Sequence, residues 1–256
     1  VWRDGRVLGV VAVGLLASIA ISLGVALVVV GLHPSVAELR FPRVLLIYAI
    51  FAAGGLPMTY ANAVVIVAAD ARMRGETVGL GQLLARVNRR LPALLGWFAL
   101  SAVVGFLLAL LERSLRIVGP LLRFIGGLSW AVATVFVVPC IVFEDLGPVA
   151  AIRRSAAMFA AQWGLNVRAQ VRLAASLTIA LVVLLLGCML LVVVVPVAGV
   201  VAFIAVVATF AAYGTALNGY LITALYRYST DGSIVGPFTR RHLGAAFGRK
   251  AILMEE

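Results

Sequence analysis

The sequence predicts an all-α, polytopic integral membrane helical bundle: six transmembrane helices on short connectors, with amphipathic interfacial helices on the cytoplasmic side. Three observations predict it. The 256 residues are 64% hydrophobic and only 12% charged, against roughly 25% charged in an ordinary soluble domain, and mean hydropathy is +1.14. Several apolar runs reach the roughly 20 helical residues needed to cross about 30 Å of hydrocarbon. The basic residues fall into alternate connectors.

Residues 1–256 read as a single six-span domain. The first span, 7–32, follows Arg3 and Arg6; its 26 residues exceed the roughly 7 to 15 of a signal-peptide core, so it is expected to remain in the mature chain. Spans two, three and four are 44–69, 91–111 and 124–143. Residues 173–226 then run for 54 positions without a charge. At about 1.5 Å per residue a single helix would be about 80 Å long, so this stretch must fold back. The only strong turn chemistry in its middle is "PVAG" at 196–199, where Pro interrupts the hydrogen-bond ladder and Gly allows unusual dihedrals. Spans five and six are therefore 173–195 and 199–226.

With the N-terminus inside, 16 of the 21 basic residues lie in cytoplasmic segments and 5 outside, the asymmetry that sets membrane orientation. Both termini are expected in the cytoplasm. Three cytoplasmic segments carry an interfacial-helix pattern. At 78–90, Leu80, Leu83, Leu84 and Val87 share a face that Gln82, Arg86, Arg89 and Arg90 mostly avoid. At 148–163, Pro148 suits a first helical position, and Val149, Ile152, Ala156, Phe159 and Trp163 recur at intervals of three and four. At 237–250, Pro237 precedes Arg240 and Arg241. The chain thus reads as three units, each of two spans and an interfacial helix.

Gly14, Ser18, Ser22 and Ala26 recur every four residues in span one, the small-residue spacing that lets helix backbones approach closely, and form the predicted packing seam. Asn62, Thr134 and Asn218 are intramembrane polar groups; a lone amide in hydrocarbon is costly, so interhelical hydrogen bonds are expected, with a polar contact to lipid or a small solute as the alternative. Pro57 and Pro139 are expected to kink spans two and four. Asp70, Glu144 and Asp145 are expected to form salt bridges with the neighbouring Arg72, Arg74 and Arg153.

Arg86, Arg89, Arg90, Arg153, Arg154, Arg240 and Arg241 form a candidate lipid-headgroup belt, since a guanidinium grips phosphate with two parallel hydrogen bonds. The net charge of +11 is accordingly assigned to the membrane surface and anionic lipid, with no nucleic acid partner. No paired catalytic carboxylates, Ser/His/Asp set, phosphate-cradling Gly loop or His/Cys metal spacing occurs. Catalytic, cofactor-binding and metal sites are therefore expected to be absent. Cys140 and Cys188 read as small core residues, and His33 and His242 as solvated side chains.

"SWAVATVFVVPCIVFEDLGPVAAIRRSAAMFAAQWG", residues 129–164, resembles a family of six-span bacterial membrane proteins of unknown function, through Trp130, Thr134, Phe136, Pro139, Arg154, Ser155, Trp163 and Gly164. That family is distantly similar to the membrane domain associated with glycerophosphodiester phosphodiesterases. The resemblance implies a six-span helical domain of the bacterial cytoplasmic membrane and supplies no catalytic residues. The expected function is non-enzymatic: lipid binding, or service as the membrane subunit of a larger assembly with a protein partner or a second copy of itself. The alternative is a transporter or permease component for an apolar or lipid-like solute.

Overall fold

The computed structural model describes residues 5–32, 40–115, 118–161 and 163–231, with side chains throughout these except at 6–7, 28–53, 163–169, 193–194 and 231. Predicted features at 237–250, Arg240, Arg241, His33 and His242 lie outside the described residues. Among the described residues all regular structure is helical: α1 (Gly5–Leu32), α2 (Arg40–Met73), α3 (Leu80–Asn88), α4 (Leu91–Ser114), α5 (Gly119–Ala133), α6 (Val137–Phe143), α7 (Pro148–Ala161), α8 (Trp163–Val194) and α9 (Pro196–Asp231).

Among the described residues, five segments are long and apolar enough to cross a membrane: Leu8–Leu27 in α1, Leu91–Ser114 in α4, Gly119–Phe143 across α5 and α6, Gln170–Val192 in α8 and Pro196–Thr230 in α9. Their surfaces expose large apolar side chains such as Leu16, Phe124, Leu190 and Val197, as lipid-facing helices do. The chain is a membrane protein. The stretch predicted as span two falls within α2, which is not among the five.

α2 instead is the central post, packing on α1, α3, α4, α6 and α9. From Ala61 to Ala71 all but Asn62 on this helix are buried. α1 and α2 run antiparallel along a small-residue seam. A Cβ at Gly14 would stand 2.6 Å from the Ala61 Cβ and 3.3 Å from the Pro57 carbonyl. One at Gly54 would lie against the Ser22 hydroxyl and 3.0 Å from the Ser18 carbonyl, while Ser18 Oγ donates to Gly14 O at 2.8 Å within its own helix. Ala26, next along the predicted seam, is partly buried.

Span four is two helices and not the single kinked one expected at 124–143. α5 stops at Ala133, residues 134–136 turn, and α6 begins at Val137. Pro139 is the cause, because it has no N–H to give to Val135, four residues back, and its ring crowds that carbonyl. The hairpin of α8 and α9 is tight: Val195 alone separates the two helices. Its N–H donates to Leu191 O at 2.8 Å and its carbonyl accepts from Gly199 N at 2.9 Å, and Gly199 sits where any Cβ would collide with the Val192 backbone. Both helices outrun the predicted 173–195 and 199–226, since the apolar pattern marks the hydrocarbon and not the helix ends.

Element order is two long helices then a short one, twice: α1, α2 and α3, then α4, α5–α6 and α7. The α8–α9 hairpin follows. α3, α7 and the C-terminal ends of α2, α6 and α9 gather at one end of the bundle, hereafter the polar end. The core is centred there, with Val64, Ile66, Val87, Phe136, Val137, Ile141, Ala151 and Phe159 buried together.

Candidate functional site at the polar end

Two features occupy the polar end, a charged aromatic network and a cavity. The network begins at Asp70, which is buried near the end of α2. Arg227 of α9 donates to it (Nε to Oδ1, 2.6 Å), and Arg74 pairs with Oδ2 at 3.2 Å. Burial pushes the Asp70 carboxyl above its usual range, with Arg227 pulling the other way. The Arg227 guanidinium lies 5.5 Å from the Phe143 ring centroid, within reach of a cation–π contact. Phe143 packs on the Tyr226 ring at 5.5 Å, and Tyr226 Oη donates to Glu144 Oε1 at 3.0 Å. Arg154 Nε reaches both Glu144 oxygens, at 3.2 and 3.1 Å. Asp70, Arg227, Phe143, Tyr226, Glu144 and Arg154 thus tie α2, α9, α6 and α7 together.

Beside it the α5–α6 break is closed by α7. The turn leaves the Phe136 N–H without a backbone acceptor, and Ser155 Oγ takes it at 2.9 Å. Both residues are fully buried, and the Phe136 ring packs on Phe159 at 6.5 Å. Asp145 follows α6 with φ of 59°, a left-handed conformation that Asp tolerates better than most residues, and it pairs with Arg90.

The structure separates the predicted arginines. Arg86 pairs with Glu76 at 3.3 Å, Arg90 with Asp145 and Arg154 with Glu144. Arg89 and Arg153 are exposed and have no ion-pair partner among the described residues. Of the expected pairs, Arg74 with Asp70 is found, whereas Glu144 is held by Arg154 and Asp145 by Arg90, because α7 turns Arg154 toward α6 and its neighbour Arg153 away.

The polar residues predicted to lie within the spans do not converge. Asn62 lies where α2 meets α9, so close that a Cβ at Gly219 would stand 3.7 Å from its Oδ1. That oxygen is buried and makes no hydrogen bond among the described residues, against the expected interhelical bond. Asn218 is partly buried on α9. Thr134 Oγ1 donates at 2.7 Å to Trp130 O within its own helix, at the C-cap of α5. No cluster of three His, Cys, Asp or Glu able to hold a metal occurs among the described residues, and Cys140 and Cys188 are buried free thiols.

The cavity, of about 850 Å³, lies between the start of α1, the end of α2 and α3. Val10, Val64, Ala68 and Leu83 form its apolar wall; Arg72, Glu76 and Thr77 form its polar one. The connecting strand of chain, residues 75–79, runs along its edge. Gly75 has φ of 74°, so glycine serves the turn that starts this edge. The backbone N–H groups of residues 77–81 find no acceptor among the described residues. Sequence reasoning missed this cavity and Arg227: a loop wall and a partner 157 positions from Asp70 leave no local signal.

No curated protein and no solved structure matches the chain. A family model matches residues 43–236, a segment that takes in Asp70, Phe136, Glu144, Ser155 and Arg227. That match covers well over half of the sequence, and the chain belongs to the family described as "Family of unknown function (DUF6159)".

Proposed function

We propose that this chain is a non-enzymatic, six-span protein of the bacterial cytoplasmic membrane that binds anionic lipid at its cytoplasmic, polar end. α2 supplies the sixth span. It returns antiparallel along α1, and Gly5 and Gly75 line one cavity, so a chain that leaves with α1 comes back with α2. The 16 to 5 division of basic residues supports the cytoplasmic assignment. The distant likeness to the membrane domain associated with glycerophosphodiester phosphodiesterases is part of the same reading.

The observation that carries lipid binding is the pair Arg89 and Arg153. Their neighbours Arg90 and Arg154 each hold a carboxylate, whereas these two are exposed without one among the described residues, and a topology signal alone does not require that separation. Each basic residue near an anionic leaflet contributes about 1 kcal/mol. Arg89→Gln with Arg153→Gln should therefore lower enrichment of phosphatidylglycerol over phosphatidylcholine in the lipid shell roughly tenfold or more, read by native mass spectrometry of gently extracted protein. Orientation should not change, because 14 inner basic residues still exceed 5 outer ones. Unchanged enrichment would reduce both arginines to topology signals. The transporter alternative draws on the Gly/Pro-broken spans two and four; at the break in span four, between α5 and α6, Ser155 satisfies the freed N–H and Phe136 fills the space.

A further inference from the structure

We propose that the cavity between α1, α2 and α3 is a single-lipid site for the phosphodiester headgroup and glycerol of an inner-leaflet phospholipid whose headgroup carries free hydroxyls. This rests on the lipid-binding reading and adds a discrete, built site distinct from the exposed arginines. The volume of about 850 Å³ falls within the roughly 300–1,000 Å³ of small-molecule sites. Along α2 the walls run from Val64 to Arg72, eight residues or about 12 Å of helix. That distance carries the lining from fully apolar to charged, the same gradient that a phospholipid follows from its first acyl carbons to its phosphate.

Each part of such a lipid meets a matching group. Val10 is the partly exposed part of the apolar wall, with the nearly buried Val64, Ala68 and Leu83 behind it, and this side faces the glycerol backbone and proximal methylenes. Arg72 supplies positive charge at the mouth. The unaccepted N–H groups of residues 77–81 supply donors along the edge, where the opening turn of α3 adds a favourable dipole for an anion. Glu76 and the Thr77 hydroxyl can accept from headgroup hydroxyls, and Arg86 on Glu76 offsets the repulsion between that carboxylate and a phosphate. A water-soluble phosphodiester would use the polar wall and leave the apolar one bare, which is why the lipid is the occupant.

The test is native mass spectrometry of the full chain, stripped of loosely held lipid and then offered phosphatidylglycerol, phosphatidylcholine, inorganic phosphate or a short water-soluble phosphodiester. Wild type should retain one phosphatidylglycerol per chain, displaced by neither soluble compound. Val10→Trp, which fills the apolar wall from a partly buried position, should lower that retention at least tenfold. Leu80→Pro removes one donor at a first helical position that proline suits and should lower it severalfold. Arg89→Gln with Arg153→Gln should leave this one lipid in place. Were Val10→Trp misfolded by thermal unfolding, Leu80→Pro and the choice between the two lipids would still decide. Equal retention of phosphatidylcholine, wild-type retention in folded Val10→Trp or in Leu80→Pro, or displacement by a soluble phosphodiester would overturn the site. Loss of shell enrichment in the wild type, with the single lipid still held, would instead overturn only the arginine reading.

Discussion

Arg227→Met is expected to destabilise the protein by about 3–5 kcal/mol, because it strands the Asp70 carboxylate in a buried position. Arg74 remains 3.2 Å from the second oxygen, but its side chain is half exposed and screened by water, so it offsets little. Adding Asp70→Asn removes the stranded charge and should recover most of the loss, which thermal unfolding in detergent of the two single variants and the double one would show. The pH dependence has a definite sign. A carboxyl whose folded-state pKa lies above its unfolded value, about 4, stabilises the fold below that value, and the contribution is lost as pH rises through the folded pKa. Removing Arg227 raises that folded pKa further, so Arg227→Met should come closest to wild type in acid and fall behind as pH rises. A loss under about 1 kcal/mol, or a double variant as weak as the single, would mean that Asp70 is solvated.

Ser155→Ala is expected to cost about 1–3 kcal/mol, the penalty for a buried donor left without its acceptor. The side chain changes by one oxygen, so packing is nearly preserved, and what is lost is the bond from the Phe136 N–H. Because that bond joins α7 to the α5–α6 break, hydrogen exchange in peptides covering residues 134–137 should accelerate while α1 and α9 keep their protection. An unchanged exchange rate at the break would show that the backbone there finds another acceptor.

The long helices were legible because an apolar run of bilayer length has few other fates, and Pro57 and Pro139 were visible as breakers. Pro57 stays inside a continuous α2, whereas Pro139 ends a helix. The difference is tertiary: α7 presents Ser155 to the freed N–H at the α5–α6 turn. Six of the eight residues that carry the family resemblance, Trp130 through Ser155, sit in this one packed region, where Trp130 also stacks on Trp97 at 5.7 Å. Charge partners were less legible. Neighbours on a helix point about 100° apart, so Arg153 and Arg154 cannot share a role, and which one meets Glu144 depends on how α7 folds back on α6. Asp70 and Arg227 meet only because α2 and α9 end at the same level. An asparagine at position 62 implies an interhelical hydrogen bond or a polar contact to lipid or a small solute; the close approach of α9 at Gly219 leaves its oxygen enclosed without a donor among the described residues.

The central claim, that the chain crosses six times with the polar end in the cytoplasm, is tested most directly by single-cysteine labelling after replacing Cys140 and Cys188. Thr77 and Ser114 are both exposed; Thr77 lies just before α3 at the polar end, Ser114 ends α4 on the far side, and Val195 marks the turn between α8 and α9. An impermeant maleimide applied to intact cells should label Ser114→Cys and Val195→Cys at once and Thr77→Cys only after permeabilisation. Labelling of Thr77→Cys from outside, with the other two protected, would place the arginines, the cavity and the Asp70 network on the wrong face of the membrane and contradict the account.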